Sequence, residues 1–266
     1  IENQAEAQIE NLLEDNNYNA DEQEEISKKL LFCVQELGSV QNIEGKQVYI
    51  VGAYVESGLK DIVKMFKSEN PEYPLVKYYL SMWNVAERDL KAILLTQADN
   101  KGLVYQVLSV LAFLTEPIVH ADIEKFRYRA KLCDEYDNGK ALFTDKELVN
   151  VLVQELSECF KKPSSSRNKF ENDTIELILS VVRNSLSFAN QSAERAKSYS
   201  DNQNLFTKML ETYSMPGSVL DGLVYISSIL DEHTIKLSSI ILETFHLILS
   251  KSSVSDIFNN NSDAEV

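Results

Sequence analysis

Apolar residues recur along this chain at spacings of three and four, and the pattern breaks into a row of helix-length pieces. Ile26, Leu30, Leu31, Val34 and Leu37 mark the first, with Gly38 as its C-terminal stop. A second piece runs from Val48 to Phe66, where Gly52 and Gly58 are close-packing points or a break. "SENPEYP" (68–74) reads as a turn built on two prolines. Further pieces follow at 75–82, 84–95, 101–114, 117–136, 145–160, 173–188, 203–214, 218–230 and 234–250. Strand-like alternation is not evident anywhere. "KKPSSSRNK" (161–169) reads as a basic loop, and "SAERAKSYSDNQN" (192–204) as a polar, mobile one.

One helix after another, joined mostly by short turns, predicts an all-α fold. An armadillo- or HEAT-like right-handed helical solenoid is the expected arrangement, with a compact bundle as the alternative. No sequence repeat of fixed period accompanies it. The expected organisation is an acidic lead over 1–25, poorly ordered or a short helix, then a single helical-repeat domain over 26–250. A polar tail over 251–266 closes it.

The stretch "DTIELILSVVRNSLSFA" (173–189) shows the pattern at its strongest. Ile175, Ile178, Leu179, Val182 and Leu186 form one buried stripe, and Leu177, Val181 and Phe188 widen it. This helix should have neighbours on more than one side. Arg183 lies beside the stripe with Asn184 next to it, an unexpected pair in so apolar a segment.

Composition changes the picture little, with 44% hydrophobic and 25% charged residues and only 8 Gly and 5 Pro, a scarcity that favours helices. The formal charge of -15 is unevenly spread. Residues 1–25 hold nine carboxylates and no Lys or Arg, leaving 32 acidic against 26 basic residues in the remainder. That body can still present a local basic face. Cys33, Cys133 and Cys159 sit among helix-period apolar residues and read as reduced, buried thiols of an intracellular protein.

No secretory signal opens the chain, so the glycosylation patterns at Asn172 and Asn190 read as chance. The longest apolar stretch, Leu103–Leu114, is too short to cross a bilayer, so no membrane partner is expected. A start at Ile1 rather than Met suggests a trimmed chain or a fragment.

Catalytic patterns are scarce. There is no Gly-rich phosphate loop, no Cys-x-x-Cys and no His-Glu-x-x-His. Ser57 and Lys60 match Ser-x-x-Lys by letters only. His233 reads as a helix cap, His246 as a core-edge residue, and His120 stands alone near Asp122. An enzyme would need a site of converging carboxylates, so no catalytic residue, metal ligand or cofactor is assigned.

Two basic clusters carry more. "KFRYRAK" places Lys125, Arg127, Arg129 and Lys131 within seven residues, and Lys161, Lys162, Arg167 and Lys169 occupy the basic loop. They are candidate DNA-backbone contacts if they join into one face, or solubilising charges paired with nearby acids if they do not.

In order along the chain, several stretches resemble the N-terminal region of the Timeless family of replication-fork proteins. Leu37-Gly38 is similar to that family's opening Leu-Gly, and "ESGLKDIVKMFKSENPEYPLV" (56–76) resembles its Ser-x-x-Asp-Leu-Ile segment. "WNVAERDLKAIL" (83–94) carries the Asp-Leu pair as Asp89 and Leu90. "VLSVLAFLTEPI" (107–118) supplies Leu114, Thr115 and Pro117, and "NDTIELILSVVRNSL" carries the Arg-Asn pair as Arg183 and Asn184.

The resemblance covers roughly residues 30–250 and implies the N-terminal part of a longer, armadillo-like protein without catalysis. It implies nuclear work in the replication fork protection complex with a Tipin-like smaller subunit, the replicative helicase and DNA. Fork pausing and checkpoint signalling follow from that role. Asp89, Leu90, Thr115, Pro117, Arg183 and Asn184 are then structural residues. The acidic N-terminus is outside the family pattern. The alternative is an armadillo-type peptide-binding adaptor, a circadian-clock role included, that never meets nucleic acid.

Overall fold

The computed structural model describes residues 20–189, 196–231 and 234–251. Most of the acidic lead, the tail from 252 onward, His233 and the sequon Asn190 fall outside the described residues. Helix α1 (Ala20–Leu37) begins inside the acidic stretch and stops where Gly38 follows. It packs on α2 (Val55–Ser68), in which Val55, Leu59, Ile62 and Phe66 are all buried. A Cβ on Gly58 would stand 2.8 Å from the Cys33 carbonyl oxygen, so the two helices approach as closely as only glycine allows.

Between these helices the expected continuous helical piece from Val48 is replaced by a β-hairpin. Strands β1 (Gly38–Ile43) and β2 (Lys46–Val51) pair antiparallel, with Ile43 opposite Lys46. The two turn residues, Glu44 and Gly45, have φ of 52° and 79°. Positive φ at both positions gives the turn whose twist matches paired strands. The hairpin escapes a search for alternation because both faces of β2 are apolar. Val48 and Ile50 point outward and are exposed, while Tyr49 and Val51 are half-buried and pack on the core.

The remaining elements are α3 (Leu75–Met82), a π-helical turn (Ala86–Leu90), α4 (Lys91–Thr96), α5 (Lys101–Thr115) and α6 (Arg129–Asn138). A 3-10 turn (Gly139–Thr144), α7 (Lys146–Phe160), a short 3-10 turn (Ser164–Ser166) and α8 (Lys169–Ser185) follow. Then come α9 (Ala196–Tyr213), α10 (Val219–Ser228) and α11 (Leu237–Lys251).

The piece expected over 117–136 is helical only from Arg129. Before it, Asp122, Phe126 and Arg129 donate to carbonyls three residues back, which brings Ile123 and Phe126 side by side into a small core. The loop expected over 192–204 is helical from Ala196 onward. No Gly or Pro interrupts it, Phe206, Met209 and Tyr213 anchor one face, and Asn202 ties back to Asp137. Helix α8 starts four residues earlier than the apolar pattern, because Asn168 and Glu171 form a reciprocal cap.

The described residues are thus mostly helical with one hairpin. Contacts run through α1, α2, α5, α8 and α11 in sequence, and α4 and α10 flank this row by packing on α7. Apolar side chains of the row form one large core, with a smaller one under α3 and α6. As the stripe in 173–189 implied, α8 touches α5, α7 and α11.

Candidate interaction surfaces around helix α8

Helices α5 and α8 end side by side, and every helix end leaves carbonyls without an intrahelical donor. Here three side chains add donors to the backbone amides of the turn after α8. Lys140, 1% exposed, reaches in from the 3-10 turn, and its Nζ donates to the Asn184 carbonyl at 2.6 Å. The same ammonium stands 3.5 Å from the Thr115 carbonyl and 3.9 Å over the Tyr136 ring. Tyr136 Oη lies 2.9 Å from the Thr115 carbonyl and 3.2 Å from that of Ser187. Burial pushes this phenol well above its ordinary range, so it stays a donor.

Asn184 Nδ2 lies 3.4 Å from the Ala112 carbonyl of α5, while its Oδ1 accepts from Arg183 Nε at 3.0 Å and Nη2 at 2.8 Å. Arg183 Nη1 then reaches Glu243 of α11 at 3.0 Å. Asp137 extends the junction, accepting from the Ala189 amide and from Asn202 of α9, each at 2.8 Å. Four helices, α5, α6, α8 and α9, therefore meet at one polar node that the exposed Glu243 ties to α11, with cations at the negative ends of α5 and α8. Lys140, Tyr136 and Asp137 escaped the sequence reading. They lie on a weakly amphipathic helix and turn, where charged letters look like a solvated face.

Asp89 is 1% exposed, on the π-helical turn, and accepts from Arg88 Nη2 at 2.7 Å and from Tyr49 Oη at 3.0 Å. This contact fastens the hairpin to the body, and its neighbour Leu90 is fully buried. Thr115 is buried, its hydroxyl donating to Leu111 at 2.7 Å, whereas Pro117 is exposed in the turn that follows.

The two basic clusters lie at opposite ends of α8. Lys161, Lys162, Arg167 and Lys169 surround its start, whereas the 125–131 segment packs through Phe126 with Ala189 beyond its end. Seventeen helical residues separate the ends by about 25 Å. The loop cluster is largely engaged. Lys161 pairs with Glu158, Lys162 with Glu171 at 2.5 Å, and Arg167 donates to the Cys159 and Lys162 carbonyls over the Phe160 ring. In the other cluster Lys125, Arg127, Arg129 and Lys131 are all exposed, with Arg129 donating to the Glu124 carbonyl. None of these four forms a salt bridge among the described residues.

The other chemical candidates are dispersed. His120 Nε2 lies 2.8 Å from the Ala189 carbonyl, and His246 is exposed on α11. Ser57 donates to the Tyr54 carbonyl while Lys60 pairs with Glu56. All three thiols are buried. Among the described residues no three His, Cys, Asp or Glu side chains group to hold a metal, and no helix is long and apolar enough to cross a membrane.

Comparison with known families decides the larger affiliation. The family model described as "Timeless protein" matches residues 48–266. The chain belongs to the Timeless family. A comparison with curated proteins finds no match. The matched span takes in the Asp-Leu, Leu-Thr-x-Pro and Arg-Asn segments, whereas Leu37-Gly38 and α1 precede it. In this member of the family, Thr115 and Asn184 meet at the node that joins α5 to α8, 3.5 Å apart, with Arg183 beside them.

Proposed function

We propose that this chain is a non-enzymatic scaffold of the replication fork protection complex. In this reading it works in the nucleus and binds a Tipin-like smaller subunit, the replicative helicase and DNA. It stabilises or pauses forks and supports checkpoint signalling. The observation that carries the reading is the Timeless family match across 48–266 of a mostly helical body. The helix order supports an armadillo-like solenoid, since α2, α5, α8 and α11 each pack on the next.

The two clusters stand at opposite ends of α8 and do not join into one face. Within this reading the phosphate-binding element therefore narrows to the Lys125–Lys131 cluster and excludes the 161–169 loop. The first is exposed and without salt bridges among the described residues, while most of the second is committed to nearby acids and carbonyls. Four phosphate contacts give a slope of about -3.6 in log affinity against log salt. Fluorescence anisotropy of fork DNA should show that slope, and alanines at Lys125, Arg127, Arg129 and Lys131 should remove it. Alanines at Lys161, Lys162, Arg167 and Lys169 should leave it nearly unchanged. Co-purification with the Tipin-like subunit tests the scaffold itself. Failure to co-purify, together with a flat salt response, would return the chain to the adaptor class.

A further inference from the structure

A cleft of about 340 Å³ opens where the ends of α2 and α5 meet the start of α3. That volume falls within the range of small-ligand pockets. Phe66 and Phe113 stack at 5.2 Å along one wall. Pro71, Pro74 and Pro117 stiffen the turns around it, so little ordering is needed when something enters. The interior is apolar enough to receive an aliphatic stem.

Its charges do not balance. Lys77, 8% exposed, is the one cation of the lining, and its Nζ donates to the Glu116 carbonyl at 2.8 Å. Three carboxylates line the same cleft. Glu69 caps α3 by accepting from the Val76 amide, Glu116 sits at the end of α5, and Asp122 is exposed at the rim. Lys77 feels both Glu69 and Glu116, while Asp122 forms no salt bridge among the described residues. An entering anion would meet carboxylates on several sides. An entering cation on an apolar stem meets complementary groups at both of its ends.

We propose that this cleft docks an arginine side chain presented by a partner peptide, with its stem along the rings and prolines and its guanidinium between Glu116 and Asp122. Arginine fits better than lysine because its planar fork bonds carboxylates in pairs and sheds water more easily. Burial raises the Glu69 carboxyl to about 7, and a guanidinium nearby would draw it back toward ionisation. The cleft gives the scaffold reading a peptide site, yet it needs neither the smaller subunit nor DNA, so the two tests fail separately.

Amide-resolved NMR of the whole chain, titrated with acetyl-Ala-Arg-Ala-amide and its citrulline counterpart, tests this directly. The arginine peptide should shift the amides of Lys77, Phe113 and Val119 and bind at least tenfold tighter than the neutral isostere. Glu116→Gln with Asp122→Asn should weaken binding about tenfold, with a small drop in Tm because Lys77 feels Glu116. Asp122→Asn alone should weaken it by a smaller factor at unchanged Tm. Equal binding of the two peptides, shifts scattered over the surface, or preference for a phosphoserine peptide of the same length would overturn the assignment.

Discussion

The two ends of α8 use the same kinds of residue to opposite effect. At its start Lys161, Lys162 and Lys169 sit in water, Lys161 beside the exposed Glu158 and Lys162 beside the half-buried Glu171. At its end Lys140 is 1% exposed and spends its charge on the carbonyls of two helix termini. In water an ion pair gains little, because solvent competes for both partners and salt screens them. Out of water a charge must be satisfied by hydrogen bonds, and removing it forfeits bonds that water cannot replace. The difference teaches that the position of a lysine, more than its presence, decides whether it is structural.

The largest break in that contrast should come from Lys140→Met, which keeps the volume and deletes the ammonium. Urea unfolding should show a loss of about 3 kcal/mol, the upper end for hydrogen bonds made by a charged group, while the Ser187 amide and Tyr136 Oη keep the two carbonyls paired. A loss below the level of ordinary surface substitutions would mean that water reaches the two helix ends and that the node is not dry.

Beside the node, Lys77 and Glu69 offer a response to pH instead of to truncation. Burial raises the Glu69 carboxyl from 4.5 to about 7, while Lys77 and the capped Val76 amide oppose the shift. The folded chain therefore holds this proton where the unfolded chain has released it. The contribution is fully present below pH 4.5 and is lost as pH rises through 7. Between pH 5 and 7.5 the stability should fall by an amount on the order of 2 kcal/mol. Glu69→Gln keeps the capping oxygen and should flatten that dependence. The buried carboxyl would be excluded by parallel curves for the two proteins.

Helix periodicity made much of this legible. The stripe of Ile175, Ile178, Leu179, Val182 and Leu186 is buried as spaced, and the piece at 75–82 coincides with α3. Where the pattern misled, a local rule had been outvoted. The hairpin hides because Val48 and Ile50 face outward, and α9 starts early because nothing in its polar first turns forbids a helix. Arg183 and Asn184 stood out as polar letters inside an apolar run. Lys140 did not, since it stands after Asn138-Gly139 where a solvated turn is the ordinary expectation, and only the meeting of two distant helix ends buries it. That meeting joins residues far apart in the chain, which no local pattern encodes.

Arg183 lies between the two extremes of the comparison. Its guanidinium is shared by Asn184 and the more exposed Glu243, with the two side chains of the ion pair 25% and 58% exposed. Arg183→Ala should cost about 1 kcal/mol, because Asn184 loses two donors while the Glu243 pair contributes little. Glu243→Gln should cost less still. A double-mutant cycle across Arg183 and Asn184 would show whether the two act together, as neighbours in one network should.

The smallest effect should come from the opposite end of α8. Lys162 pairs with Glu171, but Glu171 already accepts the Asn168 amide at 2.9 Å in the helix cap. Lys162→Ala therefore leaves the cap intact and removes only a screened surface pair, so Tm should not move measurably at any ionic strength. The informative control is Glu171→Gln, which removes the reciprocal cap's charge and should lower Tm slightly at low salt only. If Lys162→Ala proved as damaging as Lys140→Met, burial would not be what separates the two ends of this helix. The ammonium groups would then have to act through their charge alone, and the salt dependence of both variants would be steep and alike.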